Sequence, residues 1–205
     1  MIALLDYGAG NLTSVRKALT AVGAAFETPA SPADLDRVAG IVIPGVGHFG
    51  ATRAIDASWR KAILAAVTRG VPLLGICLGL QYLFEGSDEA PDAPGLALLK
   101  GRCRVLPPTV KVPHVGWNAL STRQKSAILD GVSDGTQVYF THSYAPPITR
   151  AAVATTEHGV RFASAVEHER IYGVQFHPEK SGEAGLCILR SFMKITKSAH
   201  PVAKW

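Results

Sequence analysis

Short, unbroken apolar runs punctuate the first part of the chain: Ile2-Ala3-Leu4-Leu5, Ile41-Val42-Ile43 and the stretch Val71-Pro72-Leu73-Leu74-Gly75-Ile76. Runs of this length without polar alternation predict strands buried on both faces. The first strand is expected over Ile2–Tyr7, and a further one near Phe26-Glu27-Thr28. Between the strands the period changes. Leu12, Val15, Leu19 and Val22 recur at three and four residues, one face of a helix that Asn11 can cap. Helical material is also expected up to Arg69, and Leu80, Tyr82, Leu83 and Phe84 suggest a short helix after the Val71–Ile76 strand. A β-α-β-α-β-α order with apolar strands predicts a parallel sheet with helices on both faces.

The middle of the chain changes character. From Gly95 to Leu120, prolines and short β-prone pieces such as Arg102-Cys103-Arg104-Val105 predict antiparallel strands and loops. Val138-Tyr139-Phe140, Ala151–Ala154 and Arg161–Val166 continue this region. Ile171–Phe176 reads as a last strand, followed by a closing helix with Leu186, Leu189, Phe192 and Met193 along one face. The expected fold class is α/β: a flavodoxin-like, mostly parallel sheet with helices on both faces plus a smaller antiparallel β region. No repeat, low-complexity tract or linker interrupts the sequence, so residues 1–205 are expected to form a single domain.

Composition narrows the classes. Hydrophobic residues make up 47% and charged residues 18%, the balance of a globular chain. No run approaches the roughly 18 apolar residues of a membrane helix, and the start lacks the basic region and cleavage site of a leader. Cytoplasmic residence is expected. Three cysteines without a C-x-x-C pair argue against a disulfide framework. The net charge of +5 invites a nucleic-acid reading, but Lys and Arg are scattered singly, so neither nucleic acid nor membrane is expected as a partner. No metal is expected, because no Cys or His cluster has ligand spacing. Nor is a cofactor: Thr13 stands where a third glycine would complete the dinucleotide fingerprint begun by Gly8 and Gly10.

The candidate chemistry centres on Gly75-Ile76-Cys77-Leu78-Gly79. A cysteine between two glycines at a strand-to-helix bend is the thiol form of the nucleophile elbow. The helix start would favour negative charge on the sulfur. A buried packing thiol is the competing reading of Cys77, but a packing cysteine has no need of flanking glycines. His177 and Glu179 follow the last strand; in continued extended geometry their side chains would share a side, and a carboxylate beside an imidazole holds one tautomer. Cys103 and Cys187 lack a glycine bracket. Pro44-Gly45-Val46-Gly47-His48-Phe49-Gly50 is a loop whose backbone can approach a ligand, at the sheet edge where open α/β folds bind ligands.

Gly75–Gln81 together with Phe176-His177-Pro178-Glu179 resembles the class I (triad) glutamine amidotransferases. Asp6–Asn11, Pro44–Phe49, His114-Val115-Gly116-Trp117-Asn118, Tyr139–Tyr144 and Phe176–Ser181 are similar, more narrowly, to the glutaminase subunits of imidazole glycerol phosphate synthases. The likeness runs to about residue 196. Val115 departs from the pattern, where methionine is expected, and the tail from Lys197 to Trp205 matches nothing.

The resemblance implies that Cys77 attacks the side-chain amide of L-glutamine, that His177 relays the proton to ammonia, and that Glu179 completes the triad. It further implies oxyanion donors from Leu78 and the Gly45-Val46-Gly47 stretch. Gln81, Glu89, Ser143 and Tyr144 match positions that hold the amino-acid end of glutamine; for Glu89 a solvated surface acid is the competing reading. The implied partner is a (βα)8-barrel cyclase that receives the ammonia, in a heterodimer serving histidine biosynthesis. Asn11, Trp117, Tyr139 and Lys180 match its interface, although a tryptophan in a Gly-Trp-Asn turn is otherwise most often a core residue. Two other readings stay open: a glutaminase for a chorismate-using synthase, against which the Asp6–Asn11 and Gly116-Trp117-Asn118 motifs speak, and a binding module that has lost catalysis.

Overall fold

The computed structural model describes residues 1–198, so most of the unmatched tail lies outside the described residues. In chain order the strands are β1 (Ile2–Leu4), β2 (Phe26–Glu27), β3 (Gly40–Ile43), β4 (Leu73–Ile76), β5 (Gly86–Ser87), β6 (Arg102–Val105), β7 (His114–Ala119), β8 (Ser121–Thr122), β9 (Gln137–His142), β10 (Tyr144–Ala145), β11 (Ala152–Glu157), β12 (Arg161–His168) and β13 (Ile171–Val174). The α-helices are α1 (Leu12–Ala21), α2 (Ala57–Thr68), α3 (Leu78–Leu83) and α4 (Gly182–Lys197).

One eight-stranded sheet carries the fold, in the order β2-β1-β3-β4-β13-β12-β11-β8. The pairs from β2 through β13 are parallel, and β12, β11 and β8 continue the sheet antiparallel. The parallel half has the flavodoxin-like order, in which ligands bind beyond the carboxyl ends of the strands. Its strands are apolar throughout because each contributes to two cores. Ile2, Leu4, Val42, Leu74, Ile76 and Val174 face one side, with Leu19 of α1 and Phe192 of α4. Ala3, Ile41, Ile43, Leu73 and Ile171 face the other, with Ile63 of α2 and Leu80 of α3. The period of two along each strand separates the two faces.

Several boundaries differ from the sequence expectation. β1 ends at Leu4, and the last strand ends at Val174, because the backbone then leaves the sheet to meet β9, the His177 N–H donating to the Tyr139 carbonyl at 2.8 Å. Pro178–Lys180 is a 3-10 turn, so the extended geometry invoked for His177 and Glu179 does not persist. The buried face of α4 is Gly185, Ile188, Leu189, Phe192 and Ile195; Leu186 and Met193 sit on its flanks. In the middle region β6 pairs antiparallel with β10 but parallel with β5, and β7 with β9 forms a separate two-stranded antiparallel ribbon.

Candidate active site

β4 delivers Cys77 to the carboxyl edge of the sheet, where the chain turns directly into α3. Cys77 is held at φ 53° and ψ −106°, a left-handed conformation that a side-chain-bearing residue adopts only under strain. The flanking glycines make the bend possible by close approach. A Cβ on Gly79 would lie 1.8 Å from the Ile43 carbonyl oxygen, and one on Gly75 would lie 2.6 Å from the Gly79 backbone. α3 therefore packs against the ends of β3 and β4 at backbone contact, and the elbow is fixed by both. The Cys77 N–H donates to the Val174 carbonyl at 2.8 Å, which ties the bend to β13.

β13 is the neighbour of β4 in the sheet, and this adjacency brings His177 to the cysteine. Nδ1 of His177 lies 2.8 Å from Oε1 of Glu179, with both side chains all but fully buried. The pairing arises from the 3-10 turn, with the backbone of His177 still extended before Pro178. The Ser181 hydroxyl donates to the His177 carbonyl at 2.7 Å and accepts the Tyr139 N–H, pinning the turn to β9. Burial opposes charge on the His177 imidazole, but the Cys77 sulfur and the Glu179 carboxylate together outweigh it and raise its pKa above the ordinary value. Nε2 of His177 makes no hydrogen bond of its own among the described residues. The site thus holds a nitrogen ready to take or give a proton next to the sulfur.

In front of Cys77 lies a cavity of about 270 Å³ lined by Gly47, Cys77, Leu78, Gln81, Glu89, Pro113, Thr141, His142, Ser143 and Tyr144. It sits at the small end of ligand pockets, the size class of one amino acid. The structure brings every residue matched to the glutamine position to this one wall system. Glu89 is not a free surface acid: its Oε2 accepts the Phe49 N–H at 2.7 Å while its side chain lines the cavity. Of the glycine loop, Gly47 reaches the cavity. Gly45 packs against Tyr7 and Leu78, and the half-buried Val46 lies between them outside the lining. The Tyr7 hydroxyl donates to the Pro44 carbonyl at 2.7 Å and supports this loop from below.

Away from the cavity, Trp117 is not a core residue. It is 57% exposed on β7, edge-on to Tyr139 of β9 at 6.0 Å, and Lys180 lies over the Tyr139 ring at 5.7 Å. These three form one face beside the His177–Glu179 turn. Asn11 caps α1, its Oδ1 accepting the Ser14 N–H at 3.3 Å, and α1 packs against that same turn.

Sequence reasoning missed three participants. Nε2 of Gln175 donates to the Cys77 sulfur at 3.6 Å, and the thiol donates to the Thr141 carbonyl at 3.7 Å. The third is a pair of buried histidines with fixed tautomers. Nδ1–H of His142 donates to the Tyr144 carbonyl (2.9 Å), which leaves its Nε2 to accept from Nδ1 of His114 (3.0 Å). Nε2 of His114 then accepts from Asn118 (3.3 Å). Burial, the largest cause, holds His142 neutral with a pKa lowered to about 3, and lowers that of His114 to about 4. A signal for Gln175 was present: it is the single amide in the apolar run Ile171–Phe176, and a buried polar side chain in such a run needs partners.

A sequence profile of the family described as glutamine amidotransferase class-I matches residues 3–195. The chain belongs to the class-I glutamine amidotransferase family. Among its relatives, imidazole glycerol phosphate synthase subunit HisH of Methanothermobacter thermautotrophicus is 45% identical over 199 residues, covering 97% of this chain and 100% of the relative. The protein of the same name from Moorella thermoacetica is 43% identical over 204 residues, covering 97% and 96%. The amidotransferase fold is shared more widely. A PurLQS structure from Thermotoga maritima superposes with a TM-score of 0.76 at 20% identity, covering 96% of this chain and 98% of that one. A structure described as glutamine amidotransferase does so at 0.75 and 15% identity, covering 96% and 99%. The expected α/β fold is thereby borne out. Among the described residues no helix is long and apolar enough to cross a membrane.

Proposed function

We propose that this amidotransferase is the glutaminase subunit of an imidazole glycerol phosphate synthase, that residues 1–205 act as one glutamine amidotransferase domain, and that it works in the cytoplasm. The observation that carries the reading is the convergence of Cys77, His177 and Glu179 at the carboxyl edge of β4 and β13, beside a cavity sized for one amino acid, in a chain 45% identical to a HisH subunit over 199 residues.

In this reading the Cys77 thiol passes its proton to Nε2 of His177 and the sulfur attacks the side-chain amide carbon of L-glutamine. A C–S bond forms, and the carbonyl π pair moves to oxygen. The N–H of Leu78 at the start of α3 and the Gly45–Gly47 backbone supply the donors for that oxyanion. His177 returns the proton to the amide nitrogen, the C–N bond breaks and ammonia leaves. Water, deprotonated by His177, then cleaves the γ-glutamyl thioester to glutamate and restores the thiol. Glu179 holds the imidazole in the tautomer that leaves Nε2 free and stabilises the imidazolium. Gln81, Glu89, Ser143 and Tyr144 hold the amino-acid end of the substrate. The exposed Trp117, Tyr139 and Lys180 face, with Asn11 close by, receives a (βα)8-barrel cyclase that uses the ammonia to make imidazole glycerol phosphate and aminoimidazole carboxamide ribonucleotide. No cofactor or metal enters these steps.

The test is glutamate release from glutamine with and without purified cyclase and its ligand. The expected result is weak release alone and a sharp rise in the complex, abolished by Cys77→Ala. Release that survives Cys77→Ala would sink the proposed mechanism.

A further inference from the structure

Gln175 and Gln81 form a buried amide relay that ends on the nucleophile. Gln175 is fully buried and Gln81 is 4% exposed. The two amide orientations follow from one fixed point. The Tyr144 carbonyl can only accept, so the Gln81 atom 2.8 Å from it is the donating Nε2. That nitrogen also lies 3.1 Å from the Gln175 side chain, which must therefore present its oxygen there. The remaining Gln175 atom, facing the Cys77 sulfur at 3.6 Å, is then the NH₂ group. A donor aimed at a thiol makes a weak contact; aimed at a thiolate it makes a charge-assisted bond.

We propose that Gln175 is a fourth side chain of the reaction centre, whose N–H donates to the Cys77 sulfur, favours its thiolate form and aims it into the cavity, with Gln81 and the Tyr144 carbonyl locking that orientation. The inference rests on the glutaminase reading only for its consequence in turnover; the sulfur contact stands without it. The relay also gives Gln81 a divided role. Its nitrogen is committed to Tyr144 and Gln175, so the Gln81 oxygen is the atom left to meet a substrate in the cavity that this residue lines. The other titratable groups around the sulfur are His177 backed by Glu179, Tyr7 from the loop after β1, and Glu89, His142 and Tyr144 on the cavity wall.

The experiment is the pH dependence of iodoacetamide alkylation at Cys77, read by mass spectrometry with the buried Cys103 as the internal comparison. Gln175→Met keeps the volume and removes the donor. The expected result is a labelling midpoint raised by about one pH unit, equal to about tenfold less thiolate below the midpoint. Gln175→Glu keeps the acceptor for Gln81 but sets a carboxylate against the sulfur, and is expected to raise the midpoint at least as far. Circular dichroism and the unchanged protection of Cys103 identify which variants are folded; a raised midpoint in folded Gln175→Met, or in Gln175→Leu where the Met variant does not fold, supports the proposal, whereas Gln175→Glu raises it through its own charge and tests only that position 175 faces the sulfur. An unchanged midpoint in a folded variant overturns the proposal. Because labelling needs neither glutamine nor cyclase, a failure here with glutamate release still lost in Cys77→Ala separates this proposal from the glutaminase reading. A raised midpoint without any glutamate release from the parent protein does the reverse.

Discussion

Replacing Gly79 by alanine puts a methyl group where the structure has no room for one. Its Cβ would lie 1.8 Å from the Ile43 carbonyl oxygen and 2.7 Å from the carbonyl carbon. An ordinary C···O contact is about 3.3 Å, so α3 must retreat from β3 by about 1.5 Å. Nothing flexible absorbs that shift: the neighbour is the backbone of a central strand, and all six residues of α3 are buried. Overpacking of this kind costs about 1–3 kcal/mol and more against backbone. At about 3 kcal/mol the expected fall in Tm is about 6–12 °C for a chain of this size. The same retreat moves the Leu78 N–H and the cysteine elbow by more than 1 Å, a misplacement worth about a hundredfold in rate. Gly23→Ala is the control. Its φ of +71° is left-handed, unlike that of the helical Gly79, but no atom lies within 4 Å of the added Cβ, so only a conformational cost of about 1–2 kcal/mol remains. Calorimetry and glutamate release, measured on both variants in the presence of cyclase, separate the two mechanisms. A Gly79→Ala protein that melts with the parent and keeps its rate would refute the claim that backbone contact sets the elbow.

Glu179→Gln preserves the hydrogen bond to Nδ1 of His177 but removes its charge, and the difference between charged and neutral acceptors, about 1–2 kcal/mol, predicts about a tenfold loss of glutamate release, read as a pH–rate profile that also shifts as His177 loses its proton more readily; an unaltered profile would contradict the assigned role. His142 makes the folded state sensitive to acid. Its pKa falls from 6.5 in the open chain to about 3 when folded, so as pH drops below 6.5 the unfolded chain takes up a proton the folded one refuses, and stability is lost. Between about pH 6.5 and 4.5 this amounts to about 2–3 kcal/mol. Asp34 and Asp56, whose pKa values lie below 3.8, lose their contributions only under that window. His177 acts on the other limb, its raised pKa giving stability that is present below 6.5 and lost as pH rises through the folded value. Urea midpoints across the acid window should therefore fall less steeply in His142→Asn than in the parent, and equal slopes would count against the buried neutral pair.

The parallel half of the sheet was legible because its signal is local. A strand buried on both faces must be apolar at every position, as Ile41-Val42-Ile43 is, and the glycines around Cys77 mark a close approach whatever they approach. What could not be read were contacts between residues far apart in sequence. The Gln175–Cys77 and Gln81–Gln175 contacts span 98 and 94 positions, and no periodicity encodes them. The His177–Glu179 pairing was anticipated for the wrong reason: alternation along a strand, when a 3-10 turn provides it. The α4 face is legible in part: Leu189 and Phe192 are buried as expected and Leu186 packs half-buried against the same core, whereas the small Gly185 is inward without an apolar signal, where a Cβ would meet the Pro178 carbonyl oxygen at 1.8 Å. Trp117 shows the limit of residue-type reasoning, since its exposure follows from β7–β9 forming a ribbon apart from the main sheet.

β13 sits between β4 and β12, although almost a hundred residues separate it from β4 along the chain. A nascent chain emerging from the ribosome therefore displays its reactive thiol long before the strand that brings the imidazole exists. Until Ile171–Val174 slots into the gap, the sheet is split and the sulfur has no proton acceptor beside it. The cysteine elbow and the imidazole that faces it are thus joined only once a strand made near the end of synthesis has paired with β4.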